Sequence, residues 1–267
     1  MGTTHFMAIK KLAKAEVGAI CTRDQRKLSG DWSGIQGNFG QGGGVQDLTG
    51  IRTCTDIEEV LNDPEIDLVD VCLPTALHHD VVIKALNAGK HVLVEKPITA
   101  TLAEGRKIIE SAKNASREVL VGHHRRYYSN IQKTRDLIRK GTLGKLIGIS
   151  GMWTVRKADS YYEPKFRRLR SSGPVLINLI HEIDTLRYVC GELVSISARV
   201  CSGLRDHPKE ETAAILLNFE NGTLGTFLIS DATPSPWTWE HATGDTPSYP
   251  HYGVNVLRFV GSEAALD

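Results

Sequence analysis

An alternation that holds up to about residue 122 and then stops constrains this chain more than any other feature. Short, almost wholly apolar runs at 17–21, 68–73, 91–94 and 119–121 are separated by segments of helical periodicity. A strand that is apolar on both faces must be covered on both faces, as in a parallel sheet with crossover helices. The alternation therefore predicts an α/β unit with a Rossmann-type doubly wound parallel sheet. The helical segments carry their own boundary signals. Residues 5–14 read as a helix, and Thr55 to Glu58 reads as a capping box that opens another, which Pro64 helps to end. Leu77, Val81, Ala85 and Ala88 share a helix face closed by Gly89, and a second capping box, Thr101 to Glu104, opens the helix carrying Ile108, Ile109 and Ala112.

After residue 122 the pattern becomes consecutive strands, at 146–155, 194–201, 212–219, 223–229 and 254–260, with helices at 130–140 and 175–190. Strands joined by short turns such as Asn221-Gly222 predict an α+β domain with a large, mostly antiparallel sheet. The expected division is 1–122 and 123–267. Residues 29–50 are glycine-rich and aperiodic, and read either as a solvent-exposed insertion or as a loop near a cofactor's adenosine end.

Composition narrows the function classes. A formal net charge of +1 over 267 residues argues against nucleic acid or a membrane surface as partner. No apolar run approaches the roughly 18 residues of a membrane span. The start lacks the apolar core of a signal peptide, and the five scattered cysteines read as reduced, mostly buried thiols, so a cytoplasmic protein is expected.

Three constellations carry chemistry. His91–Val94 leads into Glu95-Lys96-Pro97, and ligands of open parallel sheets lie beyond the carboxyl ends of strands. Lys96 is either aimed at a ligand there or is a solvated surface lysine. The predicted helix over 175–190 has an apolar stripe of Leu176, Leu179, Ile180, Ile183 and Leu186, with Asn178, His181, Glu182 and Thr185 on the other side. Asp184 lies three residues beyond His181, within reach to orient the imidazole and raise its basicity; the plainer reading is a satisfied core histidine. Gly122-His123-His124-Arg125-Arg126 follows the last apolar run and serves either substrate contact or packing against carboxylates. The adjacent histidines lack further ligands at metal spacing, and no metal is expected.

Together, LPTALHHDVVIKALNAGKHVLVEKPI, GHHRRYYSNIQKTRDLIRKGTLGKL and SGPVLINLIHEIDTLRYVCGEL resemble the Gfo/Idh/MocA family of glucose–fructose oxidoreductases and inositol dehydrogenases. The resemblance covers nearly the whole chain. It implies an NAD(P)-dependent oxidoreductase for a secondary hydroxyl or ketone of a sugar, cyclitol or polyol. On that pattern Lys96 and His181 flank the substrate hydroxyl, with Asn178 and Asp184 in support. Leu73, Pro74, His78 and Glu95 are implied on the cofactor side. His124, Arg125, Lys157, Tyr161 and Arg167 are implied on the substrate side, and the aromatic loop with Trp237 and Trp239 either stacks on sugars or joins subunits. The resemblance also implies a homo-oligomer, dimer or tetramer, through the C-terminal sheet. One departure is plain. The family's pattern places an Asp four residues before the histidine, where this chain has Ile177 with Asn178 beside it.

The dinucleotide fingerprint G-x-G-x-x-G is matched only at its end, with Gly2 in the third glycine's place. The first strand and the first two glycines are thus expected to be missing, as in a fragment or a chain with a mis-set start, and weak dinucleotide binding is expected of the chain as written. At the end of the second expected strand, Thr22 followed by Arg23 suits the 2′-phosphate of NADP better than the ribose of NAD, with Asp24 close by. The rival readings are a dinucleotide-sensing regulator without turnover, a structural subunit, or an inactive fragment.

Overall fold

The computed structural model describes residues 1–35, 43–246 and 249–267. They form two compact units, residues 1–122 and 123–267.

The first unit runs α1 (Gly2–Ile9), β1 (Ala19–Cys21), α2 (Gln25–Leu28), β2 (Arg52–Cys54), α3 (Ile57–Leu61), β3 (Leu68–Val71), α4 (His78–Asn87), β4 (His91–Val94), α5 (Leu102–Ala115) and β5 (Val119–Val121). Every pairing among these five strands is parallel. The strands fall into two groups, β1–β2 and β3–β4–β5, which no described strand joins. Val71, Val82, Ala85, Leu86, Val92, Val94 and Ile108 fill the core.

Several local expectations change. The first helix begins at Gly2 and ends before Lys10. Asp56, not Thr55, caps α3 by accepting from the Glu58 amide, whereas the Thr101–Glu104 capping box is present with both of its bonds. The buried face of α4 is His78, Val82, Ala85 and Leu86, while Leu77 is exposed, because a short 3-10 turn over Thr75–Leu77 precedes the helix and rotates its face. Ile109 is likewise exposed, and Ile108 alone of that pair enters the core.

The glycine-rich segment is anchored where it is described, contrary to a wholly exposed insertion. Trp32 is buried, packs edge-on against Phe6 of α1 at 4.8 Å, and donates its indole N–H to the Lys27 carbonyl. Gly30 has φ +84°, and a Cβ there would stand 2.3 Å from the Gln46 carbonyl oxygen, so this turn requires glycine. Residues 36–42 of that segment, and 247–248 of the aromatic loop, lie outside the described residues.

The second unit runs α6 (Ser129–Arg139), β6 (Leu146–Thr154), α7 (Pro174–Ile177), α8 (Leu179–Cys190), β7 (Leu193–Cys201), β8 (Thr212–Phe219), β9 (Leu224–Ser230), α9 (Trp239–Thr243), β10 (Leu257–Gly261) and β11 (Ala265–Leu266). Its six-stranded sheet has the order β11-β10-β6-β9-β8-β7, antiparallel except for the parallel β6–β9 pair. Ile149, Trp153, Ile215, Leu217, Phe227, Ile229 and Phe259 on one sheet face pack with Leu179, Leu186 and Val189 of α8. The other face is open, with Leu216 and Leu224 exposed.

The single helix expected over 175–190 is two. Asn178, at φ −107°, separates α7 from α8. His181, Glu182, Asp184 and Thr185 of α8 are all buried. All five cysteines are free; Cys54 and Cys190 are buried, but Cys21 and Cys201 are exposed.

Candidate active site

In the first unit, the residues expected on the cofactor side gather at the carboxyl ends of β3 and β4. Leu73 and Pro74 leave β3, and Glu95, Lys96 and Pro97 leave β4 through a cis Lys96–Pro97 bond. His78 ties the two turns together, with its ring nitrogens 2.8 Å from the Pro97 carbonyl oxygen and 2.7 Å from that of Leu73. It is 1% exposed, so it holds the loops in register rather than offering a nitrogen to a ligand. Glu95 is also buried, and one oxygen accepts from the Lys96 amide. Burial pushes the Glu95 carboxyl up, but His5, bonded to it at 3.0 Å, and the Lys96 charge outweigh burial and hold it below its ordinary value.

Helix α1 begins against this region. A Cβ on Gly2 would lie 3.6 Å from the Cys72 Cβ, ordinary contact, and Thr3 Oγ1 in the first turn is buried with no hydrogen-bond partner among the described residues. An α-helix N-terminus beside the carboxyl end of a parallel strand is an anion site, and an orphaned hydroxyl there fits a dinucleotide's phosphates. Thr22 and Arg23 stand apart, at the end of β1. Asp24 is engaged as the cap of α2, accepting from the Arg26 amide at 3.1 Å, while Arg23 is exposed.

In the second unit a chain of contacts links most of the residues expected at the substrate. Arg167 lies 4.3 Å over the Tyr161 ring, and Lys157 lies 4.9 Å over the same ring. Lys157 Nζ donates to Asn178 Oδ1 at 2.8 Å. One turn on, the His181 amide donates to the Asn178 carbonyl, and the His181 and His124 rings stand 5.2 Å apart. The break at Asn178 turns its side chain to Lys157 where a continuous helix would hold it in the turn.

Two expected residues do other work. Arg125, expected at the substrate, is 3% exposed; it donates to Glu182, faces Glu240 at 3.6 Å and lies over the Trp239 ring. A cation so enclosed between carboxylates belongs to the core. Asp184, expected to orient His181, is gripped by Arg126, whose Nε donates to it at 2.7 Å while a second guanidinium nitrogen donates to its other oxygen. Trp239 is also buried, donating to Asp245, whereas Trp237 is exposed.

A further cluster escaped sequence reasoning. Asp231 accepts from Lys209 at 2.8 Å and from the Tyr162 hydroxyl at 2.7 Å, and Arg205 bridges it to Glu211 and donates to the Lys157 carbonyl. Burial first, then the bond to Asp231, pushes the Tyr162 phenol up. This cluster fixes the backbone on which Lys157 is carried. The only sequence signal was an unusual charge density at 204–211, which reads as a polar loop.

Known proteins bear on this arrangement. The family model for "Oxidoreductase family, NAD-binding Rossmann fold" matches residues 1–123, and that for "GFO/IDH/MocA C-terminal domain" matches 131–266. Myo-inositol 2-dehydrogenase of Thermotoga maritima is 32% identical over 176 residues, 64% of this chain and 51% of that protein. The 1,5-anhydro-D-fructose reductase of Ensifer adhaerens is 29% identical over 181 residues, 66% of this chain and 54% of that protein. The chain thus spans about half the length of the curated relatives it matches. Among solved structures, the WlbA dehydrogenase of Bordetella pertussis in complex with NADH and UDP-GlcNAcA superposes with a TM-score of 0.78 at 19% identity, over 98% of this chain and 74% of that one.

Proposed function

Because the chain belongs to the GFO/IDH/MocA oxidoreductase family, we propose that the protein carrying it transfers hydride between a nicotinamide dinucleotide and a secondary hydroxyl or ketone of a sugar, cyclitol or related polyol. The observation that carries this reading is the Lys157–Asn178–His181 arrangement. A buried histidine stands one helical turn from an amide–ammonium pair, and such a site can take a hydroxyl proton while holding neighbouring hydroxyls. Myo-inositol and anhydrofructose, named for the relatives above, are polyhydroxylated rings of that kind.

In the proposed mechanism the nicotinamide, when bound, supplies the hydride chemistry. The α1 N-terminus with Gly2 and Thr3, and the turns at Leu73–Pro74 and Glu95–Lys96, would hold the dinucleotide. His181 takes the hydroxyl proton during oxidation and returns it during reduction. The Lys96 ammonium orients the reacting oxygen and stabilises charge that develops on it. Lys157, Asn178, Tyr161, Arg167 and His124 set which hydroxyls are accepted. Asn178 does this without the negative charge of the family's carboxylate. Asp184 acts through Arg126, by fixing the start of α6 against α8.

With Asp24 engaged as a helix cap, Thr22 and the exposed Arg23 favour NADP over NAD. The open sheet face bearing Leu216 and Leu224 is the proposed surface for pairing subunits. No helix of the described residues is long and apolar enough to cross a membrane, and five free thiols suit the cytoplasm. The test is label transfer. A panel of cyclitols and aldoses deuterated at ring carbons is incubated with NADP+ and NAD+, and deuterium on the reduced dinucleotide identifies substrate and carbon. No transfer from any polyol, with dinucleotide bound, would instead favour a sensor.

A further inference from the structure

We propose that His5 Nδ1, Asp70 Oδ1 and Cys72 Sγ are three corners of a tetrahedral site for a divalent metal of the zinc class. The pairwise distances are 3.1 Å from Nδ1 to Oδ1, 3.4 Å from Nδ1 to Sγ and 3.6 Å from Sγ to Oδ1. Tetrahedral bonds of about 2.0–2.3 Å set ligand atoms about 3.3–3.7 Å apart, so adjustments of a few tenths of an ångström admit the ion. Asp70 and Cys72 are two residues apart on an extended segment and present their side chains to one side. Helix α1 brings His5 to them from 65 residues away.

A second observation points the same way. The other nitrogen of the His5 ring stands 3.0 Å from Glu95 Oε1. Metal-bound imidazoles commonly donate their free N–H to a carboxylate, which fixes ring and tautomer. The charges also balance, because a carboxylate, a thiolate and a neutral imidazole neutralise a divalent ion and leave the fourth position for water. The sulfur ligand selects against magnesium and calcium, which take oxygen.

Without metal the three groups are held together by protons. Hydrogen bonds to Asp70, Cys72 and Glu95 push the His5 imidazole up to about 12, and burial raises the Cys72 thiol. Metal entry displaces one proton from His5 Nδ1 and one from Cys72 to solvent, with no change of oxidation state. The bound ion then clamps α1 to the end of β3.

The test uses the 267-residue chain, stripped with a chelator, kept reduced with a phosphine and titrated with Co2+, then Zn2+. The expected result is one equivalent of Co2+ with tetrahedral ligand-field bands and a thiolate charge-transfer band, displaced by one equivalent of Zn2+. Cys72→Ser abolishes the charge-transfer band, and Glu95→Gln weakens Zn2+ binding by about 10–100-fold. Asp70→Asn, which preserves shape, gives an independent reading through a loss of affinity of about tenfold or more. The proposal is overturned if no metal binds or if Asp70→Asn leaves affinity unchanged. It is also overturned if the band survives Cys72→Ser but is lost in Cys21→Ser, which would place the ion at the paired Cys21 and Cys54 of β1 and β2.

Discussion

The side chains sealed most completely in the first unit are Val82, Ala85, Val92 and Val94, whereas in the second Lys209 and Asp231 lie as deep, at 1% and 0% exposure. The first unit is held by apolar packing between strands and crossover helices, and its buried His78 and Glu95 sit at strand ends, where a ligand is expected. In the second unit charge is part of the core itself. Arg125 is enclosed by Glu182 and Glu240, and Lys209 and Arg205 by Asp231 and Glu211. Burial pushes the Glu182 carboxyl up despite the neighbouring Arg125, a sign of how little solvent reaches it. Packing density alone can build a scaffold. Fixing polar side chains such as Lys157 and Asn178, as the proposed recognition of hydroxyls requires, takes a supporting shell that is itself polar and directional.

The largest effect that would sharpen this contrast is Asp231→Ala. It strands Lys209 without a counter-charge and is expected to destabilise the second unit by about 3–5 kcal/mol, read by urea denaturation. A loss below about 1 kcal/mol would show that the buried cluster contributes little. In the first unit the matching change is apolar. Leu86→Ala is expected to cost about 2–5 kcal/mol through lost burial and the residual cavity. Thr101→Ala removes the capping box of α5 and should cost about 0.5–2 kcal/mol. If it proved as damaging as Leu86→Ala, the first unit would depend on polar groups as the second does.

The pH-dependent test of the contrast concerns His5. Its folded value is raised, so its stabilising contribution is complete below about 6.5 and lost as pH climbs towards about 12. In metal-free buffer the stability difference between the native chain and His5→Gln should shrink over that window, and the His5 ring should still give imidazolium NMR shifts at about pH 9. Neutral-ring shifts at that pH would remove the ion cluster from the account.

What could be read in the sequence follows the same division. Apolar runs and capping signals are local, and they located β3, β4, β5 and the start of α5 within a residue or two. The rotated face of α4 was missed because a 3-10 turn changes phase without changing composition. At the helix break Asn178 bonds to Lys157, 21 residues away, and periodicity carries no trace of either the break or the contact. His181 and Asn178 stood out as polar residues beside an apolar helical stripe, whereas Lys157 drew attention only through the family resemblance. Arg125 and Asp184 looked equally functional, but charged residues reveal their partners only in three dimensions. Asp231, Lys209 and Arg205 were hidden for the complementary reason, because a segment dense in charge reads as solvated whether or not its charges are paired. The glycines of 29–50 concealed Trp32 as an anchor for α1.

The proposed role of His181 is proton acceptor of a polyol-oxidising site. It is tested most directly by single-turnover reduction of bound dinucleotide by the polyol that label transfer identifies, comparing the native protein with His181→Asn. The expected result is a rate lower by about 100-fold or more in the variant, with dinucleotide affinity unchanged. A variant that reduces dinucleotide at the native rate would contradict this role for His181.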